Sequence, residues 1–115
     1  MTDTPYNFPR LYDVAYGWRD FRAECTFLAG QYRVLHGNLP ATALELACGP
    51  GNHARMLAAL GVNTIGLDSN ETMLGYARTQ PGGDDPDVTW QGGDMRNFTV
   101  ATPVDLAFCL MDSLS

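Results

Sequence analysis

The stretch at residues 43–57, ALELACGPGNHARML, decides how the rest of the chain is interpreted. An apolar segment leads into two glycines, Gly49 and Gly51, and then into a pattern typical of a helix. Glycines at such a junction let the backbone approach a ligand closely before the helix begins. Glu45 stands inside the apolar segment, where a carboxylate requires a reason, because charged side chains are rarely buried without a partner. The stretch predicts a ligand-binding turn between a buried strand and a helix, with an acid at its base.

Strands and helices alternate from residue 42 onward. Buried strands are predicted at 42–48, 62–68, 88–91 and 103–111, with helices at 51–60 and from Ser69 or Asn70 to about Arg78. Ala54, Leu57 and Ala58 of the earlier helix are expected to point inward, and Gly61 stands where the cap of this helix is expected. This alternation favours parallel strands joined by right-handed crossovers. The predicted fold class is α/β, a Rossmann-like parallel sheet with flanking helices.

A helical segment precedes the first strand. Its apolar side chains recur every three or four residues, at Phe21, Cys25, Leu28, Tyr32 and Leu35. Gly37 is positioned to end this helix. We therefore expect two parts, an N-terminal helical segment at residues 1–40 and a ligand-binding part at residues 41–115.

The composition excludes several classes of protein. The formal net charge is −6, and the seven basic residues are all arginines, so no basic face for nucleic acid is expected. The absence of lysine excludes a Walker P-loop and Schiff-base chemistry, which both require a lysine side chain. No apolar run approaches the roughly 20 residues that cross a bilayer, and the first ten residues, MTDTPYNFPR, do not resemble a signal peptide. We expect a cytoplasmic protein with no nucleic-acid or membrane partner.

The cysteines give no sign of a disulfide framework or of a metal site. Cys25, Cys48 and Cys109 are odd in number and far apart in sequence. Cys48, inside the glycine turn, is interpreted as a small packing residue. Of the two histidines, His53 opens a predicted helix and is expected to be exposed, although it could donate to a ligand.

The glycine turn also fits the dinucleotide fingerprint. Residues 49–54 match G-x-G-x-x-A, and Asp68 at the end of the next strand could bind a ribose. Glu45 argues against this interpretation, because a carboxylate at the base of the turn would repel a pyrophosphate. The long helical segment before the first strand argues against it as well. A nicotinamide-dependent oxidoreductase is kept as an alternative.

Glu45 suits a ligand that presents a cation, and here the chain resembles the class I S-adenosylmethionine-dependent methyltransferases. ELACGPGNHA resembles the first motif of that family, GLDSNETML the second, QGGDMRNF the third, and VDLAFCLMDSLS its fourth strand. LYDVAYGWRDFRAE resembles the N-terminal helices of members that act on small molecules, including sugar N-methyltransferases. The resemblance implies the first four strands of a seven-stranded methyltransferase fold.

The resemblance also implies a role in cofactor binding for individual residues. Gly49 and Gly51 would admit the methionine part, with Ala47 standing where the family more often has a glycine. Glu45 would hold the methionine ammonium through backbone or water, and Asp68 would accept from the ribose hydroxyls. The adenine would be bound by the residues of the second and third motifs: Asp94 at its amino group, the Met95 backbone at a ring nitrogen, and Ser69 and Met95 at its faces. Met73 is a further candidate, although core packing is the favoured interpretation for it. The N-terminal segment, residues 1–40, would act as a lid over the pocket, and its Tyr12, Tyr16 and Arg19 could touch the carboxylate of the cofactor or the acceptor.

The expected function is methyl transfer from S-adenosylmethionine to a small molecule, and no catalytic residue can be named. The later strands of the family usually shape the acceptor pocket, so a non-catalytic cofactor-binding fragment is a second alternative. The fourth strand is apolar on both faces and has no following strand in this chain. Self-association through its exposed edge is therefore expected.

Overall fold

The computed structural model describes residues 20–109 of the protein. The helices are α1 (Phe21–His36), α2 (Asn52–Ala59) and α3 (Glu71–Thr79). The strands are β1 (Thr42–Leu46), β2 (Asn63–Asp68), β3 (Val88–Gly92) and β4 (Leu106–Phe108). The predicted alternation of strands and helices is confirmed.

The strands form one parallel sheet in the order β3-β2-β1-β4. Strand β1 is central, and its Glu45 lies opposite Gly66 on β2 and Phe108 on β4. The chain runs outward from β1 to β3 and then returns to the other side of β1 for β4. The connections therefore diverge between β1 and β4, which is where open parallel sheets bind ligands, beyond the carboxyl ends of the strands.

Short-range hydrogen bonds set the limits of the helices. The Asp20 side chain accepts from the Ala23 N–H at 2.9 Å and begins α1, while Gly37 ends it in the left-handed conformation with φ 83°. The Asn70 side chain accepts from the N–H groups of Thr72 and Met73 at 3.0 and 3.1 Å and begins α3. The sequence-based choices of Gly37 and Asn70 are confirmed, because both signals act within one helical turn.

Helix α2 forms the centre of the core. The side chains that were predicted to point inward, those of Ala54, Leu57 and Ala58, are buried. Leu57 packs in a cluster with Cys25, Ala43, Val62 and Phe108, which joins α1 to the sheet. Ala54 and Ala58 pack with Val88 in a second cluster, and Trp90 lies against this cluster.

Three details differ from the sequence-based expectation. Strand β1 ends at Leu46, because Ala47 leaves the extended conformation with φ 54°. Strand β4 covers only Leu106–Phe108 among the described residues of the predicted 103–111 segment. Leu35, the last side chain of the apolar face predicted for the N-terminal helix, is 77% exposed. The buried residues of α1 are Cys25 and Ala29, whereas residues 33–36 in its last turn are exposed.

Within residues 20–109, none of the helices combines the length and the apolar character that crossing a membrane requires.

Candidate functional site

The turn that follows β1 is built from left-handed backbone. Ala47, Gly49 and Gly51 have φ values of 54°, 57° and 77°, and Gly51 directly precedes α2. Glycine adopts this conformation without a steric penalty, whereas an alanine does so at a cost. The family's preference for glycine at the position of Ala47, stated above as part of the resemblance, therefore has a local backbone reason in this chain.

The side chain of Trp90 packs against the backbone of this turn. A side chain at Gly51 or at Gly66 of β2 would overlap the indole ring of Trp90, at 2.6 Å from Cζ3 in the case of Gly66. The indole N–H donates to the Gly83 carbonyl at 2.8 Å, which fixes the ring. Gly51 is thus required by its φ angle and by the close approach of an aromatic ring. Sequence reasoning missed Trp90, because nothing in the strand pattern says which glycines its ring will meet.

The carboxyl ends of three neighbouring strands are joined in a row. The Cys48 N–H donates to the Leu67 carbonyl at 2.9 Å, and the Gly49 N–H donates to Asp68 Oδ2 at 2.7 Å. On the other side, the Gly93 N–H donates to the Asp68 carbonyl at 3.1 Å. The glycine turn, the acid that ends β2 and the segment after β3 therefore meet at one edge of the sheet. These are the three segments that carry the sequence motifs.

Asp68 holds two segments of this edge at once. Its Oδ2 accepts from Gly49, and its Oδ1 accepts from the Asn70 N–H at 2.8 Å. The carboxylate is partly buried, and each of its oxygens keeps a further lone pair with which it could accept from a ligand hydroxyl. Ser69, the next residue, is exposed.

Asp94 lies beyond β3 as half of an ion pair at the surface. Arg96 donates from Nη2 to Oδ2 at 2.7 Å and from Nε to Oδ1 at 3.0 Å. The hydrogen bonds from the Arg96 side chain and backbone lower the pKa of Asp94 to about 2, so the group is a carboxylate at neutral pH. Its side chain is 45% exposed, and the neighbouring Met95 is partly buried. Arg96 was not anticipated from the sequence.

Glu45 is fully buried at the base of the glycine turn. Its Oε1 accepts from the Ala54 N–H at 3.2 Å, and its Oε2 lies 3.1 Å from His53 Nδ1. Burial raises the pKa of Glu45, against the lowering effect of the His53 and Ala54 hydrogen bonds. The carboxylate inside the strand thus has partners in the first turn of α2, which explains how a buried strand accommodates it.

The expectation that His53 is exposed is wrong. The side chain is 1% exposed, and its Nε2 lies 3.2 Å from Oε1 of Glu24 on α1. Its ring also meets the edge of the Phe21 ring, with 4.9 Å between the centroids. The position of a histidine in the first turn of a helix does not reveal that a second helix will cover it.

The remaining candidates fall into two groups. Cys48 is buried and burial raises the pKa of its thiol well above the ordinary value, which agrees with its interpretation as a packing residue. Met73 is fully buried in the core, the interpretation favoured for it from the sequence. The candidates that lie outside the described residues are Tyr12, Tyr16 and Arg19.

The fold and this strand-end site define a Rossmann-like ligand-binding domain, and comparisons with known proteins identify its family. Residues 43–115 match the family described as a methyltransferase domain. A dTDP-3-amino-3,6-dideoxy-alpha-D-glucopyranose N,N-dimethyltransferase of Streptomyces fradiae is 32% identical over 106 residues, 90% of this chain and 40% of that protein. The protein therefore belongs to the methyltransferase domain family.

Solved structures agree with this assignment. An amino pentose methyltransferase from Micromonospora echinaspora, solved with S-adenosylmethionine bound, superposes with a TM-score of 0.74 and 28% identity, covering 88% of this chain and 42% of that one. Streptomyces venezuelae DesVI superposes with a TM-score of 0.78 and 28% identity, covering 99% of this chain and 45% of that one. The chain thus spans less than half the length of these relatives. S-adenosylmethionine is the cofactor of the family, as the sequence motifs predict.

Proposed function

We propose that the protein binds S-adenosylmethionine and takes part in methyl transfer to a small-molecule acceptor. The observation that carries the proposal is the row of hydrogen bonds from Gly49 through Asp68 to Gly93. These hydrogen bonds bring together the backbone of the glycine turn, the partly buried carboxylate of Asp68 and the start of the third motif. These groups would receive, in this order, the amino-acid part, the ribose and the adenine of S-adenosylmethionine.

Each part of the cofactor has a proposed partner in the chain. The turn at Gly49 and Gly51 receives the methionine part, and Glu45 contributes negative charge beneath its ammonium. Asp68 accepts from the ribose hydroxyls. The carboxylate of Asp94 accepts from the adenine amino group.

Two further residues complete the proposed adenine site. The Met95 backbone N–H serves a ring nitrogen, and Ser69 and Met95 lie at the faces of the base. Ser69 is exposed and Met95 is partly buried, so both side chains are accessible to a ligand.

The bound cofactor would supply an already activated methyl group. The residues of the chain would accordingly contribute binding, orientation and exclusion of water rather than a nucleophile of their own. No residue is proposed as a catalytic base, because an amine acceptor that binds neutral needs none for the transfer step. The relative from Streptomyces fradiae is named as an amino-sugar N-methyltransferase, so nucleotide-linked amino sugars are the acceptors to test first.

Calorimetric titration and a transfer assay test this function in order. We expect S-adenosylhomocysteine to bind and NAD not to bind. Labelled methyl groups should then pass to an amino sugar nucleotide and not to its hydroxyl analogue. Binding without transfer to any acceptor would favour the non-catalytic alternative, and binding of NAD alone would contradict the proposal.

We also propose a cytoplasmic location and self-association. All three cysteines are free thiols, which suits a reducing compartment. Strand β4 pairs with β1 on one side and, among the described residues, with no strand on the other. Such an edge is a template for association. Light scattering that finds a monomer at every concentration would contradict self-association.

A further inference from the structure

His53 lies between two carboxylates from two different elements. Its Nδ1 is 3.1 Å from Oε2 of Glu45 on β1, and its Nε2 is 3.2 Å from Oε1 of Glu24 on α1. The His53 and Glu45 side chains are 1% and 0% exposed, whereas that of Glu24 is 32% exposed. Solvent thus reaches this triad, Glu24–His53–Glu45, from the Glu24 end.

The two contacts of His53 require one proton more than a neutral imidazole and two carboxylates hold. A neutral imidazole donates from one nitrogen only, while a carboxylate only accepts. Both ring nitrogens face carboxylate oxygens, so the two hydrogen bonds form together only if the triad carries an extra proton, on the imidazole or on a carboxyl. With that proton the net charge of the triad is −1, and without it the charge is −2. The three groups therefore titrate as a unit.

The groups around His53 favour retention of this proton. Burial opposes the imidazolium, but the hydrogen bonds and charges of Glu45 and Glu24 outweigh it and raise the pKa of His53. Burial raises the pKa of Glu45 in turn, and the charge of Asp68 on β2 adds to this effect. From α1 the Cys25 thiol also faces this region, donating to the His53 carbonyl at 3.5 Å. Strand β4 contributes the uncharged ring of Phe108, with its centroid 6.5 Å from that of His53.

The triad also connects the N-terminal helix to the cofactor turn. Glu24 lies in the first turn of α1, and His53 lies two residues after Gly51 in the first turn of α2. Glu45 accepts from the Ala54 N–H with its other oxygen, so its orientation is linked to the start of α2. A change in the triad therefore acts on the turn that is proposed to bind the methionine part.

We propose that His53 is a positioning residue for the cofactor site, and that its proton holds Glu45 and the start of α1 against the glycine turn. When this proton leaves, the hydrogen bonds of His53 to Glu24 and Glu45 cannot both persist, and the turn loses its support. Because the proton is bound more tightly in the folded state, its contribution to stability is present below about pH 6.5 and is lost as the pH rises through the pKa of folded His53. Affinity for the cofactor should fall over the same range. The inference rests on the proposed function for its second part.

The titration of His53 tests the first part without any ligand. His53 and the exposed His36 are the two histidines of the protein, so NMR resolves one from the other. Glu24→Gln removes one carboxylate while keeping the shape of the side chain, and it should lower the pKa of His53 by about one pH unit or more. Glu71→Gln is the matched control, since Glu71 is likewise an acid in the first turn of a helix. A His53 pKa that Glu24→Gln leaves unchanged would overturn the shared proton.

The affinity for S-adenosylhomocysteine tests the second part. The Gln side chain of His53→Gln stays uncharged between pH 6 and pH 9, so this variant lacks the extra proton of the imidazole at every pH tested. At pH 6 the wild type should bind about fivefold or more tightly than His53→Gln, and the two affinities should converge by pH 9. Comparison with the variant cancels the titration of the ligand's own amino group.

Three outcomes of the affinity test have distinct meanings. A constant ratio of the two affinities from pH 6 to pH 9 would mean that His53 is only structural, and would overturn the positioning role. If His53→Gln does not fold, Glu24→Gln takes its place, and its affinity should then vary less with pH than that of the wild type. Absence of binding at every pH would overturn the proposed function and this second part, whereas the NMR result for Glu24→Gln would stand on its own.

Discussion

The Gly49 N–H donates to Asp68 Oδ2 at 2.7 Å, so the acid that ends β2 holds the glycine turn that follows β1. The two residues are 19 positions apart in sequence, and their neighbouring parallel strands bring them together. This bond gives Asp68 a structural task in addition to the ribose contact proposed for it. The effect of a substitution at Asp68 must therefore be measured on the stability of the fold and on the affinity for the cofactor.

Replacement of Asp68 by alanine should weaken the binding of S-adenosylhomocysteine by about 1.5–3 kcal/mol, roughly tenfold to over a hundredfold, through the loss of charge-assisted hydrogen bonds. It should also lower the free energy of unfolding, because the N–H groups of Gly49 and Asn70 lose their acceptor. Asp87→Ala, before β3, is the control and should change the affinity little. Calorimetry and urea unfolding measure the two effects. Equal losses of affinity in the two variants would contradict a ribose contact.

Replacement of Asp94 by alanine should separate affinity from stability. Its ion pair with Arg96 is exposed, and exposed pairs contribute little to folding. If Asp94 accepts from the adenine amino group, the variant should bind S-adenosylhomocysteine about tenfold more weakly. It should bind the inosine analogue, which lacks that amino group, as the wild type does. A variant that still discriminates between the two ligands as the wild type does would place adenine recognition elsewhere.

Replacement of Gly66 by alanine should destabilise the protein through Trp90. The new Cβ would lie 2.6 Å from Cζ3 of the indole and 3.1 Å from the Cys48 sulfur, so the core is overpacked. We expect a loss of about 2 kcal/mol in the free energy of unfolding. Gly75→Ala, on α3 with no atom within 4 Å of the added methyl, should instead gain about 0.5–1 kcal/mol. Urea unfolding measures the free energy of unfolding of both variants. A gain in stability for Gly66→Ala as well would show that the Trp90 ring moves to make room for the methyl group.

Replacement of Ala47 by glycine should raise stability or leave it unchanged. Relief of the left-handed strain is worth about 1–2 kcal/mol, and the added freedom of the unfolded chain offsets about 0.5–1 kcal/mol of it. Ala77→Gly, inside α3, has no strain to relieve and removes a fully buried methyl group, so it should cost about 1 kcal/mol or more. Thermal unfolding of the two variants measures the contrast. A similar loss in both would mean that Ala47 is not strained.

The amino-acid sequence by itself determined the order of the elements and the turns between them. The helix cap at Asn70, the helix ending at Gly37 and the glycine turn after β1 all depend on interactions within a few residues. Periodicity in the sequence also predicted which side of α2 is buried. The three ordered motifs predicted the family and its cofactor, since they need only be recognised along the chain.

Only the tertiary structure decided what the buried and polar side chains contact. His53 lies against Glu24, 29 residues away, and Trp90 lies against Gly51 and Gly66. Both contacts depend on how helices and strands pack, and the local pattern around each residue is compatible with exposure as well as burial. The same holds for Glu45, whose place in a buried strand was visible in the sequence. That it is held by the first turn of α2 follows from the packing of that helix on the sheet.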